Sequence, residues 1–158
     1  MQSSKSKVAS FEVDHTTLRQ GVYLRSSHKD TLSWDLRMRT PSERRPMTPG
    51  AVHILEHTLA QGLREVAGFG DKVVALCPMG CLTGLYLITD SDVRIEDVLY
   101  ALRDVAYRYF PLLELDDVPG LNEVQCGNPY LADLDGANEA MREFIHAIFN
   151  NLSKCLKK

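Results

Sequence analysis

Apolar and polar residues alternate most regularly in the segment LSWDLRMR, which begins at Leu32. Side chains of a strand point alternately to opposite faces, so a period of two separates the apolar set from the polar set. The pattern therefore predicts a strand with one buried and one solvated face. Its buried face would carry Leu32, Trp34, Leu36 and Met38, and its solvated face Ser33, Asp35, Arg37 and Arg39.

The apolar spacing changes to three and four residues after the proline-rich turn TPSERRPMTPG. Thr48 and Pro49 supply a cap and a first-turn proline for a helix, and Gly68 supplies an end. We therefore predict a helix that runs from the proline to about Val66.

The remaining periodic segments complete the predicted fold. KVVALC and LTGLYLIT predict two more strands, separated by a turn at Pro78–Cys81. Two amphipathic stripes predict helices that begin near Ser91 and near Gly136. Strands and helices that do not alternate regularly favour the α+β class. We predict a single domain over residues 1–158, in which a mainly antiparallel sheet packs against helices.

Composition excludes several classes of partner. The 18 basic and 21 acidic residues give a formal charge of −3. We interpret the group Arg37, Arg39, Arg44 and Arg45 as solvated surface, so nucleic acid is not an expected partner. No apolar run approaches the roughly 18 residues that span a bilayer, and the start MQSSKSKVAS lacks the apolar core of a secretory signal. We expect a cytoplasmic protein without a membrane partner, whose four cysteines stay as thiols.

The first predicted helix carries an unusual polar set in the sequence VHILEHTL. His53 and His57 lie four positions apart and share a helix face, with Glu56 beside them. Two neutral imidazoles supply nitrogen donors for a metal ion, and a carboxylate that lies near the metal without binding it can transfer protons. The spacing therefore predicts a metal site.

A catalytic metal site needs a third protein ligand and an open position. Cys77 and Cys81 make a weak ligand pair by themselves, because a three-residue gap across a Pro-Met-Gly turn is not a standard zinc-binding spacing. Spacing alone does not choose the third ligand from the candidates Cys126, Cys81, Cys77, His15, His28 and His146.

Two families share the order His-x-x-Glu-His. The pattern resembles that of the inverzincin metalloproteases, but those have much larger domains and use a distant glutamate as the third ligand. The chain is more similar to the S-ribosylhomocysteine lyase family, from Ser10 to about residue 150. Five motifs in family order carry this resemblance: SFEVDH (Ser10 to His15), DLR (Asp35 to Arg37), HILEHTLA (His53 to Ala60), PMGCLTG (Pro78 to Gly84) and NEVQCG (Asn122 to Gly127).

The resemblance implies a metal centre. The family's ligands fall on His53, His57 and Cys126, with a water or a substrate oxygen in the fourth position. The cofactor would be one divalent ion per chain, typically Fe²⁺ in this family, and Zn²⁺ or Co²⁺ are compatible with the same ligands.

The resemblance also implies a reaction, the cleavage of S-ribosylhomocysteine to homocysteine and 4,5-dihydroxy-2,3-pentanedione, the precursor of the autoinducer-2 quorum signal. Two enolisations, assisted by a Lewis-acid metal, would move the carbonyl along the ribose before β-elimination expels the thiolate. Glu56 and Cys81 would carry the protons. Ser10, His15 and Arg37 match positions that bind and orient the sugar, in sites formed at a homodimer interface.

The chain departs from the family pattern at three positions. Ala75 and Cys77 stand where the family usually has an acidic residue and a serine, and Leu82 stands where arginine or glutamine is common. Loss of a carboxylate would weaken recognition of the amino-acid end of the substrate. The departures therefore concern substrate affinity and identity, whereas the implied metal and proton-transfer residues are intact.

Two alternative functions also use a metal site, an inverzincin-like metalloprotease and a non-catalytic binding protein that the metal stabilises. A purely structural site normally has four protein ligands, and it needs neither Glu56 nor Cys81 nearby. The interpretation as a lyase is therefore favoured.

Overall fold

Four strands form one antiparallel sheet in the computed structural model, which describes residue 8 and residues 11–155. The strands lie in the order β1-β2-β4-β3, so two hairpins meet through β2 and β4 at the centre of the sheet. Their bounds are Gly21–His28 for β1, Thr31–Arg37 for β2, Val73–Pro78 for β3 and Gly84–Asp90 for β4.

Three helices pack against one face of this sheet. Their bounds are Pro49–Arg64 for α1, Ile95–Tyr109 for α2 and Leu134–Cys155 for α3. Sheet and helices share one hydrophobic core, whose fully buried side chains include Leu36, Leu55, Leu87, Leu102 and Phe144. The predicted α+β class, with an antiparallel sheet packed against helices, is confirmed. Within the described residues, no helix is both long and apolar enough to cross a membrane.

The observed start of a helix matches the predicted start where the sequence contains a recognisable cap residue. The hydroxyl oxygen of Thr48 accepts a hydrogen bond of 3.1 Å from the amide of Ala51, so Thr48 caps α1 as predicted. The prediction that α2 starts near Ser91 is wrong, because the helix begins at Ile95. Arg94 is the cap residue there, and its amide donates to the carboxylate of Asp97 at 3.0 Å.

Three charged residues in and just after β2 are buried, and the prediction that Arg37 and Arg39 are solvated is wrong. Asp35, Arg37 and Arg39 are 0%, 2% and 6% exposed. Burial is tolerated because each charge is paired: Asp35 accepts from Arg25 and Arg37, and Arg39 pairs with Glu139 and Glu143 of α3. Arg44 and Arg45 are exposed, as predicted.

The pattern did not predict strand β1. Only Val22 of its eight residues is buried, because β1 lies at an edge of the sheet. An edge strand with mostly exposed side chains lacks the clean alternation that identified β2.

Candidate functional site

Helix α1 and the loop before α3 bring three potential metal ligands together. The ligand atoms of His53, His57 and Cys126 all lie within 4.8 Å of one another. Sγ of Cys126 is 3.2 Å from Nε2 of His53, and the two imidazole rings stand at 88° with their centroids 4.7 Å apart. Among the described residues, this is the one group of three His, Cys, Asp or Glu side chains that converges in this way.

Backbone carbonyls orient both histidines. Nδ1 of His53 donates to the carbonyl of Leu131 at 2.8 Å, and Nδ1 of His57 donates to the carbonyl of Pro119 at 2.8 Å. A carbonyl can only accept, so each imidazole donates through Nδ1, and Nε2 is the nitrogen that could bind a metal ion. This outer hydrogen bond fixes the tautomer of metal-binding histidines in general.

A tight loop presents the cysteine. The carboxamide oxygen of Asn122 accepts from the amides of Val124 and Gln125 at 3.1 Å each, and its backbone carbonyl accepts from the amide of Cys126 at 2.9 Å. These bonds close a turn that leaves the thiol of Cys126 pointing at the histidines.

The segment between Cys126 and α3 is anchored on the first turn of α1. The hydroxyl of Thr48 donates to the carboxylate of Asp133, which also accepts from the amide of Gly136 at 2.9 Å and so caps α3. A Cβ at Gly50 would lie 2.8 Å from the carbonyl carbon of Ala132, so glycine permits this close approach. The loop that carries Cys126 is therefore held at the same helix end as His53.

The donor set fits a divalent transition metal. Two imidazole nitrogens and one cysteine sulfur converge, and three protein ligands would leave a position for a small molecule. A closed structural site would need a fourth protein ligand, and the described residues supply none to this group.

Glu56 lies beside the metal-binding group in a cavity of about 250 Å³ between α1 and the β3–β4 turn. The cavity walls carry His53 and Glu56 from the helix, and Pro78, Met79 and Gly80 from the turn. Glu56 is half-buried, and its carboxylate does not join the group formed by His53, His57 and Cys126.

The thiol of Cys81 lies in a second polar cluster, on the sheet face away from the helices. Oγ1 of Thr83 accepts a hydrogen bond of 2.6 Å from Nη1 of Arg37, and it lies 3.1 Å from Sγ of Cys81. Thr83 can therefore donate its own proton to the sulfur. Nη1 of Arg37 is itself 3.8 Å from that sulfur.

This environment favours the thiolate. Burial raises the pKa of the Cys81 thiol, but the hydrogen bonds from Thr83 and the charge of Arg37 outweigh it and lower the pKa below its ordinary value of 9.0. A lower pKa increases the fraction of thiolate near neutral pH, which is the form that can accept a proton.

The other predicted site residues lie outside both the metal-ligand group and the Cys81 cluster, or outside the described residues. His15 is exposed, and its Nδ1 lies 2.9 Å from the carbonyl oxygen of Val13. Ser10 lies outside the described residues. His28, His146 and Cys77 do not join His53 and His57, and among the described candidates only Cys126 completes a group that could hold a metal ion.

Three residues of this region received no role from the sequence. Thr83 contacts both Arg37 and Cys81, and Asp35 holds the guanidinium groups of Arg25 and Arg37. Thr83 lies inside the motif PMGCLTG and Asp35 inside the motif DLR. Their place in these motifs is the feature of the sequence that could have indicated a role. No local pattern indicated Arg25, because it reaches Asp35 from a neighbouring strand.

Comparison with known proteins identifies the family of the chain. Sequences of S-ribosylhomocysteine lyases are similar along almost the whole chain: 36% identical over 154 residues in Clostridium acetobutylicum (94% of this chain and 94% of that protein), 33% over 153 residues in Phocaeicola vulgatus (93% and 92%) and 31% over 155 residues in Borreliella burgdorferi (94% and 95%). A sequence model of the S-ribosylhomocysteinase (LuxS) family matches residues 8–155. The chain therefore belongs to the S-ribosylhomocysteinase (LuxS) family.

Proposed function

We propose that the protein is a metal-dependent carbon-sulfur lyase that cleaves S-ribosylhomocysteine to homocysteine and 4,5-dihydroxy-2,3-pentanedione, the precursor of autoinducer-2. The observation that carries the proposal is the convergence of His53, His57 and Cys126 beside Glu56, in a chain that belongs to this family. The inverzincin-like protease and the non-catalytic binding protein are not favoured, because neither accounts for the family membership.

The metal would be held by Nε2 of His53, Nε2 of His57 and Sγ of Cys126. When bound, a divalent ion in this ligand set supplies Lewis-acid polarisation of a carbonyl, which makes the neighbouring C–H acidic. We propose Fe²⁺ as the native ion, and the ligand set is also compatible with Zn²⁺ and Co²⁺.

Two side chains would move the protons. Cys81, whose thiolate is favoured by Thr83 and Arg37, would accept protons from the sugar carbons while the carbonyl migrates. Glu56 would transfer protons during the later enolisation and the β-elimination that releases the thiolate of homocysteine. Ser10, His15 and Arg37 would bind the sugar and hold the reacting carbons at these two groups.

A direct assay tests the proposal. The protein, loaded with Fe²⁺ under anaerobic conditions, is incubated with S-ribosylhomocysteine while free thiol is measured with a thiol reagent. We expect stoichiometric release of homocysteine, with no release after chelation of the metal. Absence of thiol release from the fully loaded protein would reject the proposed activity.

We propose further that the site is completed by a second copy of the chain. Within one chain, Cys81 does not line the cavity that contains His53 and Glu56, and its thiol lies with Arg37 on the sheet face away from the helices. A homodimer that sets this face against the metal centre of a second copy would bring the two groups together.

Mixing two inactive variants tests this arrangement. Cys81→Ser keeps the metal ligands, and Cys126→Ala keeps Cys81, so a mixed dimer has one site with both groups intact. Random exchange of subunits should restore about a quarter of wild-type activity, since half of the dimers are mixed and each has one working site. No recovery, with subunit exchange verified by a mass-tagged chain, would show that both groups act within one chain.

The proposal extends to the whole chain and to its location. We propose that residues 1–158 act as one lyase domain in the cytoplasm. Cys81 and Cys126 must stay reduced for their proposed roles, which suits a reducing compartment.

A further inference from the structure

A cavity of about 390 Å³ lies on the sheet face away from the helices, and the chemistry proposed above does not use it. Its lining carries several hydrogen-bond donors, and none of the described side chains that line it is a carboxylate. The donors are Arg25, Ser26, Ser33, Cys77 and Tyr86, whereas Val8 and Ile88 form apolar walls, and most of the lining surface is apolar. Such a lining is suited to a small molecule with an anionic group.

A β-bulge brings Arg25 to this cavity. Tyr23 and Leu24 pair with Asp35 and Trp34, and the next pair is Ser26 with Ser33, so Arg25 is the extra residue of β1. A bulge re-aims side chains and lets neighbours in sequence face the same side. Arg25 and Ser26 accordingly line the same cavity.

The charges around Asp35 are not balanced. Its Oδ2 accepts from Nε of Arg25 at 2.9 Å and from Nη2 of Arg37 at 2.7 Å, so one fully buried carboxylate faces two guanidinium groups. A thiolate at Cys81 would offset the Arg37 end. In the part of the chain that the structure describes, no second anion pairs with Arg25, whose side chain keeps 18% of its surface exposed.

The same contacts connect the cavity to the reactive thiol. Arg25 contacts Asp35, Asp35 contacts Arg37, and Nη1 of Arg37 lies 3.8 Å from Sγ of Cys81. A sugar held at Cys81 and Arg37 would therefore extend its thioether arm along this row toward Arg25.

We propose that the cavity binds the carboxylate of the substrate's amino-acid arm through Arg25, and that the α-ammonium group of the arm is not recognised. The inference rests on the proposed function. Ala75, which pairs with Ile88 of the cavity wall in the sheet register, stands where the resembled family usually has an acid. The substrates would thus be S-ribosyl thioethers of short mercaptocarboxylic acids, with or without an α-amino group.

Three thioethers test the inference: S-ribosylhomocysteine, its des-amino analogue S-ribosyl-4-mercaptobutanoate, and its carboxamide. We expect the des-amino compound to match the KM of the parent within about threefold, and the carboxamide to raise KM about tenfold, the size of one charge-assisted hydrogen bond. Arg25→Gln should raise KM about tenfold for both carboxylates and leave the carboxamide unchanged. Arg25→Lys, which keeps the charge, should lose less.

Arg103→Gln is the matched control, because it removes an exposed arginine from α2, remote from the sheet face. Equal KM values for the carboxamide and the parent, or a des-amino compound that binds tenfold more weakly, would overturn the inference. Calorimetric titration of the three compounds into the Cys81→Ser dimer measures arm recognition without turnover. Failure of the wild type to release thiol from any of the three compounds rejects the proposed function. The order of the three affinities measured by calorimetry decides the inference about the arm independently of turnover.

Discussion

The Cys81→Ser variant is expected to lose roughly 10²-fold or more of its turnover while it keeps its metal and its oligomeric state, which is the usual size of a general acid-base effect. A serine hydroxyl fits the same space, but it does not ionise near neutral pH and cannot accept the proton that the thiolate accepts. The thiolate is favoured here by Thr83 and Arg37, which serine would still contact.

Hydrogen exchange with deuterated solvent separates Cys81 from Glu56. With Cys81 responsible for the early carbonyl migration, Cys81→Ser should neither exchange the sugar C–H hydrogens nor release thiol. Glu56→Gln should lose a similar factor in thiol release but still allow early exchange, because the thiolate is intact. The substrate is incubated in D₂O and followed by NMR, with free thiol measured in parallel.

The control for the carboxylate is Glu96→Gln, which removes an exposed acidic side chain at the start of α2. It should behave as wild type in both readouts. Thiol release by Cys81→Ser near the wild-type rate, with the metal retained, would show that Cys81 is only a turn residue and that another group carries the protons.

The Cys126→Ala variant is expected to lose metal affinity by more than the 10–100-fold that removal of an outer hydrogen-bond partner costs, because it removes a ligand itself. Turnover should fall with it. The two histidines that remain would offer nitrogen donors alone, without the sulfur ligand that Fe²⁺, Co²⁺ and Zn²⁺ all accept. Metal content after dialysis against a graded chelator, measured by elemental analysis, gives the change directly.

Cys77→Ala makes the same chemical change at an exposed thiol outside the metal-binding group, and it should keep its metal. Equal metal content in Cys126→Ala and the wild type would remove Cys126 from the centre. The same measurement on the wild type should give about one divalent ion per chain.

The sequence by itself determined the features that depend on local spacing. The period of two identified the core side of β2, and the Thr48-Pro49 cap fixed the start of α1. The four-residue spacing of His53 and His57 placed both on one helix face, where the structure has them. Five motifs in order indicated the family, and through it Cys126, because a motif combines residue type with position and so carries more information than spacing alone.

Tertiary structure decided every feature that depends on partners distant in sequence. Arg39 was predicted as solvated, yet it is buried, because two glutamates of α3 pair with it. A charged residue is predicted to be exposed when only the sequence is known. Its burial depends on a counter-charge, which can lie about 100 residues away along the chain. Chain folding likewise brings Cys126 to His53, aims the carbonyl of Leu131 at that imidazole, and sets Arg25 beside Asp35. Spacing along the chain states which side chains share a face, whereas the meeting of two faces depends on how the elements pack.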